Sequence, residues 1–155
     1  MITQNDLKWH QRFMRIADEV ATWSKDPSSQ LGSVAVLNRK ILATGYNGFP
    51  KNINDNDETR FSDRETKYKY TIHSELNLCL NAAENCVSLK GSTVYISGKQ
   101  PICSECCKMM IQVGVETIVM PRITSTDPKW LESWKFSQSM IEEVNQSRKM
   151  VYIFI

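Results

Sequence analysis

Apolar residues at Leu7, Phe13, Met14, Ile16, Ala17, Val20, Ala21 and Trp23 recur at helical spacing. They predict a first helix over 6–24, with Asn5 or Asp6 as its cap. Pro27 and Gly32 in "KDPSSQLG" end that pattern. "SVAVL" (33–37) and "ILATGY" (41–46) are rich in strand formers, and "NRK" between them reads as a hairpin. The polar run 47–67 has no stable period, and a loop of that length in a compact fold is usually functional. Periodicity returns with a helix over 74–85, a strand over 92–97, a helix over 104–114 closed by Gly114, and a strand over 116–120. A helix over 128–143 and a last strand, "MVYIFI", follow. The strand–helix–strand order from 92 to 120 requires a parallel crossover. The expected architecture is therefore α/β, a mixed sheet with helices on both faces, in one domain over 1–155.

Composition narrows the class. The chain has 155 residues, is 41% hydrophobic and 23% charged, and carries a net charge of +2 with both signs interspersed. That balance offers no dedicated nucleic-acid or membrane surface. The opening "MITQNDLKWHQRF" is polar and does not read as a signal peptide. Five cysteines, an odd number, argue against a disulfide framework and suit a reducing cytoplasm.

Three of those cysteines fall within "CSECC" (103–107). Cys103 and Cys106, three apart at a helix start, sit where free backbone N–H groups stabilise thiolates. On its own such a pair could be a redox couple, half of a structural zinc site, or packing. "HSE" at 73–75 adds a histidine and a carboxylate at another helix entry, where residues i and i+2 can converge as they cannot in mid-helix. Three ligands of types His, Cys and Cys suit a catalytic zinc, which keeps its fourth position for water and lowers that water's pKa. Glu75 is placed to move protons without ligating. The plainer readings are a hydrogen-bonded core histidine and a carboxylate favoured by the helix dipole. H-x-E followed by P-C-x-x-C is nonetheless the signature of zinc nucleobase deaminases. Cys107 points off the ligand side and reads as packing, Cys79 and Cys86 read as core or near-core thiols, and His10 as a packed or solvated residue of the first helix.

Several ordered segments between about residues 13 and 120 resemble the deoxycytidylate (dCMP) deaminases of the cytidine-deaminase-like superfamily. These are "WSKDPSSQLGSVAV", "GYNGFP", "TKYKYTIHSELNLCLNAA" and "CSECCKMMIQVGVETIVM". The resemblance implies a three-layer α/β/α fold around a five-stranded sheet, assembled as a homohexamer. It implies hydrolysis of dCMP to dUMP and ammonia, a step in dTTP precursor supply. It also implies zinc held by His73, Cys103 and Cys106, and Glu75 as proton carrier. The Ser74 N–H would bind the pyrimidine carbonyl and Asn47 the sugar. Lys25 and the "KYKY" run ending at Tyr70, which includes Lys67 and Lys69, are the phosphate candidates. Activation by dCTP and inhibition by dTTP would act through the region of Gly48, Phe49 and Asn52.

The chain departs from the pattern in places. "YISGKQPIC" is about two residues longer than the usual approach to the first zinc cysteine, and Ile102 separates Pro101 from Cys103. Ser74 replaces an alanine, and "PKNINDND" replaces a glycine- and cysteine-bearing stretch. No cysteine or histidine set suggests a second zinc. Other expectations are thus a deaminase of 5-substituted dCMP or cytidine, or a non-catalytic zinc and nucleotide-binding module. Residues 121–155 carry no motif.

Overall fold

The computed structural model describes residues 3–155. Helix α1 spans Gln4–Ala21 and is followed by strands β1 (Gly32–Leu37) and β2 (Lys40–Tyr46). Two short helices, α2 (Thr59–Ser62) and α3 (Arg64–Tyr70), precede α4 (Ser74–Glu84). The chain continues through β3 (Thr93–Ile96), α5 (Ser104–Gln112), β4 (Thr117–Met120), α6 (Pro128–Val144) and β5 (Val151–Phe154). The five strands form one mixed sheet in the order β2-β1-β3-β4-β5. β1 pairs antiparallel with β2 and β3, whereas β3–β4 and β4–β5 are parallel, as the crossover through α5 requires.

Alternation along the strands assigns the two faces. Val34, Val36, Tyr95 and Val119 pack under α1 against Phe13, Met14, Ala17 and Val20. Ala35, Val94, Ile96, Ile118 and Met120 face the other way, onto Leu78 of α4, Met110 of α5 and Trp134 and Ile141 of α6. This is the expected three-layer α/β/α arrangement. Among the described residues no helix is long and apolar enough to cross a membrane.

Local details differ from the sequence reading for identifiable reasons. The α1 cap is Thr3 rather than Asn5 or Asp6: its hydroxyl accepts from the Asp6 N–H at 3.1 Å, and the Asp6 carboxylate accepts from the Thr3 N–H at 3.1 Å. That reciprocal box starts the helix earlier than its first apolar residue. The helix also ends earlier, at Ala21, and the Ser24 hydroxyl instead donates to the Asn47 carbonyl at 2.7 Å. Within the polar run, Asp63 caps α3 by accepting the Thr66 N–H at 2.8 Å. A seven-residue helix without an apolar stripe has no period to read. Cys86 is exposed, not a near-core thiol, because the chain turns through φ +54° just past α4.

One glycine positions the site. A Cβ at Gly45 of β2 would meet the backbone of Ser74 and Leu78, lying 2.7 Å from the Leu78 Cα. The absence of that carbon lets β2 lie directly on the first turns of α4.

Candidate functional site

His73 and Cys103 occupy equivalent places on two helices. Each is an N-cap with extended backbone, φ −67° and ψ 154° for His73 before α4, φ −75° and ψ 160° for Cys103 before α5. The two helix N-termini therefore face a common point, where unpaired N–H groups and aligned peptide dipoles favour negative charge. Cys106, one turn into α5, donates its N–H to the Cys103 sulfur at 3.5 Å. The Ser104 N–H, another first-turn donor, is taken by the Ser133 hydroxyl of α6 at 2.8 Å.

The His73 Nδ1 lies 3.5 Å from both the Cys103 and the Cys106 Sγ. All three potential ligand atoms fall within 4.8 Å of one another. Zinc binds sulfur at about 2.3 Å and imidazole nitrogen at about 2.0–2.1 Å, and tetrahedral angles then put nitrogen and sulfur about 3.5–3.6 Å apart. The donor set and its spacing fit zinc. The Cys106 thiol facing Cys103 lowers the Cys103 pKa, with His73 adding to the effect against burial. Cys106 is pushed up by the neighbouring Cys103 sulfur and by burial. The bond to Cys103 raises the His73 pKa, and burial only partly opposes it.

Glu75, in the first turn of α4, is only 6% exposed. Burial pushes its carboxyl above the ordinary range, although the charge on His73 opposes the shift. The Ser74 hydroxyl donates to Glu75 Oε2 at 3.0 Å and lies 2.7 Å from the Ser33 hydroxyl on β1. The helix entry thus lets His73 and Glu75 share one site although they are two residues apart.

A cavity of about 420 Å³ opens on this cluster, within the size range of ligand sites. Asn47, His73, Glu75, Ile96, Pro101 and Cys103 are among the residues that line it. Asn47 is buried and holds the 29–31 segment in place: its Oδ1 accepts from the Leu31 N–H and its Nδ2 donates to the Ser29 carbonyl, both at 2.7 Å. Lys67 also lines the cavity, with its ammonium 3.0 Å from the Asp26 carboxylate.

Other expected contacts lie elsewhere. Lys25 pairs with Asp55 at 2.8 Å beside a separate hollow shared with Pro27 and Glu58. Tyr70 packs on Phe49, itself stacked on Phe61 at 4.5 Å, with Arg60 over its ring at 4.8 Å. Lys69 and Asn52 are exposed, and Gly48 is bridged to Ile72 next to His73. Cys107 is fully buried with its thiol toward the Ser137 carbonyl, the packing role expected of it. His10 packs on the far face, 2.9 Å from the Tyr95 hydroxyl.

Some of the lining carried no signal in the sequence. Trp130 of α6 lines the cavity and approaches the His73 ring edge-on at 6.1 Å. Arg64 and Tyr68 of α3 and Asp127 before α6 complete the mouth. Asp127–Pro128 is the only legible trace, an N-cap followed by a first-turn proline.

A family profile described as the cytidine and deoxycytidylate deaminase zinc-binding region matches residues 7–121. The chain belongs to the cytidine and deoxycytidylate deaminase family. Among relatives, an uncharacterized deaminase in the luxG 3′ region of Aliivibrio fischeri is 34% identical over 137 residues, covering 88% of both chains. The Mus musculus deoxycytidylate deaminase is 37% identical over 118 residues, which span 73% of this chain and 64% of the mouse protein. The fold matches the crystal structure of a dCMP deaminase from cyanophage S-TIM5 in complex with dCMP and dUMP. That match has a TM-score of 0.71 at 20% identity and covers 97% of this chain and 99% of that one. The family match stops short of α6, so the wall that Trp130 and Asp127 build lies outside it.

Proposed function

We infer that the chain is a zinc-dependent deaminase that hydrolyses dCMP to dUMP and ammonia. The observation that carries this reading is the His73, Cys103 and Cys106 triad at zinc-compatible spacing, beside a buried carboxylate and facing a nucleotide-sized cavity. Zinc at that point supplies the Lewis acidity that makes water a nucleophile near neutral pH.

The remaining steps fall to the chain's own groups. Glu75, buried beside the cluster, takes a proton from the attacking water and passes it to ring N3, then carries the remaining proton of the new hydroxyl to the departing amine. The Ser74 N–H, first of α4 and so without an intrahelical partner, donates to the pyrimidine carbonyl. Asn47 Nδ2 has one hydrogen left after serving Ser29 and offers it to the sugar. Ile96, Pro101 and Trp130 exclude water from the base. The family's effector response is read onto Gly48, Phe49 and Asn52, and the Gly48–Ile72 bridge beside His73 supports that coupling. Homohexamer assembly, regulation by dCTP and dTTP, and dTTP precursor supply in the cytoplasm belong to the same reading, supported by the resemblance over 13–120.

Steady-state deamination by zinc-loaded protein tests it, with dCMP, 5-substituted dCMP, cytidine and deoxycytidine compared, each with and without dCTP. The reading predicts dCMP as the preferred substrate. Absence of dCMP turnover in both conditions would overturn it.

A further inference from the structure

Besides His73, two basic side chains line the cavity, Arg64 and Lys67. Lys67 is already committed. Its side chain is 10% exposed, its ammonium is 3.0 Å from Asp26, and it donates to the Ser28 hydroxyl at 2.7 Å. Arg64 differs in every respect. Its side chain is 61% exposed, and its single carboxylate partner, at 2.8 Å, is Asp127, the residue that caps α6. An exposed pair of this kind is weak and screened by solvent. Arg64 Nε donates to the Tyr68 hydroxyl at 2.8 Å, which fixes the plane of the guanidinium. Among the described residues its Nη1 has no hydrogen-bond partner, so the fork is half used. Asp127 has a second, separate task, because its Oδ1 caps α6 by accepting the Lys129 N–H at 3.0 Å.

The position suits the far end of a nucleotide. α3 leads through Thr71 and Ile72 into His73, and Arg64 is its first residue. At 1.5 Å per residue, Arg64 therefore lies about 9 Å along the helix axis from Tyr70, at the end of α3 opposite to the one that leads into His73. Guanidinium pairs bidentately with carboxylate or phosphate oxygens, and a phosphate dianion offers it more charge and more acceptor oxygens than one carboxylate.

We propose that Arg64 selects nucleoside 5′-monophosphates, with Asp127 holding its guanidinium at the mouth until the substrate phosphate takes that place. This inference rests on the deaminase reading and names the residue that decides between nucleotide and free nucleoside. Asp127 is a placeholder that competes with the phosphate, so the two residues have opposite effects on affinity.

The test compares wild type, Arg64→Gln and Asp127→Asn as zinc-loaded proteins. Asn keeps the cap acceptor and removes the charge. The readout is kcat/KM for dCMP divided by that for deoxycytidine. Arg64→Gln should lower this ratio roughly tenfold or more, through KM for dCMP, as loss of a charge-assisted contact implies. Asp127→Asn should raise it about two- to fivefold, the scale of an exposed ion pair. A ratio unchanged by Arg64→Gln, or one that falls in Asp127→Asn, overturns the inference while leaving the deaminase reading intact. Calorimetric binding of dUMP and deoxyuridine to the same proteins decides the point without turnover. Arg64→Gln should weaken dUMP roughly tenfold more than deoxyuridine, and equal weakening overturns the inference. If wild type fails to deaminate dCMP, the deaminase reading falls, and the dUMP comparison still judges Arg64.

Discussion

Replacing Asp26 with Ala should cost about 3–5 kcal/mol of stability, the scale of leaving a buried charge without its partner. The Asp26 and Lys67 side chains are 3% and 10% exposed, and their charged atoms approach to 3.0 Å. Asp26 Oδ1 also accepts the Ser28 and Ser29 N–H groups at 2.9 and 3.0 Å and the Ser28 hydroxyl at 2.9 Å. Alanine thus strands an ammonium that keeps only the Ser28 hydroxyl, and frees three donors of the turn. Lys67→Met is milder, about 1–2 kcal/mol, because the carboxylate keeps those three donors. The asymmetry can be measured in urea unfolding, and in a domain of this size the Ala variant should melt about 6–20 °C lower. Burial alone would raise the Asp26 carboxyl, but the bonds from Ser28, Lys67 and Ser29 outweigh it and hold it below its ordinary 3.8. A depressed carboxyl contributes stability above its unfolded pKa and loses it as pH falls through the folded one. The gap between wild type and Asp26→Ala should therefore close in acid, below pH 3.8. A cost under 1 kcal/mol, equal costs for both variants, or a gap that persists in acid would refute this reasoning.

Other expected outcomes probe the site's supports. Ser74→Ala removes one of two buried hydroxyls 2.7 Å apart and should cost about 1–2 kcal/mol in urea unfolding, whereas Ser33→Ala/Ser74→Ala should cost no more than the single change. A neutral Ser74→Ala would contradict the buried pairing. Cys106→Ala should leave the protein well below one equivalent of zinc after dialysis, and Cys107→Ala should keep one. Equal metal loss from both would remove the distinction between ligand and packing sulfur. Gly45→Ala should cost about 3 kcal/mol and weaken zinc binding, because the new methyl displaces the start of α4. A fully stable, zinc-replete variant would show that the contact between β2 and α4 is slack.

Much of this was legible because the deciding residues announce themselves by type and spacing. The mixed sheet follows from the strand–helix–strand rhythm, which α5 and its parallel neighbours β3 and β4 reproduce. The triad was legible because His73 and Cys103 are both helix caps, and capping positions are marked by where periodicity begins. What stayed hidden depends on tertiary approach. Lys67 reads as one of the phosphate candidates, and its ion pair appears only once Asp26, 41 residues away, is folded against it. Arg64 sits in a polar run with no period, and its partner Asp127 lies 63 residues further on. Trp130 gave no hint of a site, since an aromatic on an amphipathic helix is ordinarily core. Cys86 misled because a thiol just beyond an apolar helix looks buried, and only the left-handed turn places it in solvent.

The central claim is that Glu75 carries protons beside a zinc it does not bind. Zinc content by elemental mass spectrometry and dCMP turnover should be measured together for Glu75→Gln. One zinc per chain is expected, as in wild type, with turnover lower by at least about a hundredfold. Zinc lost together with turnover would make Glu75 a ligand, and turnover kept would take the proton transfers away from it.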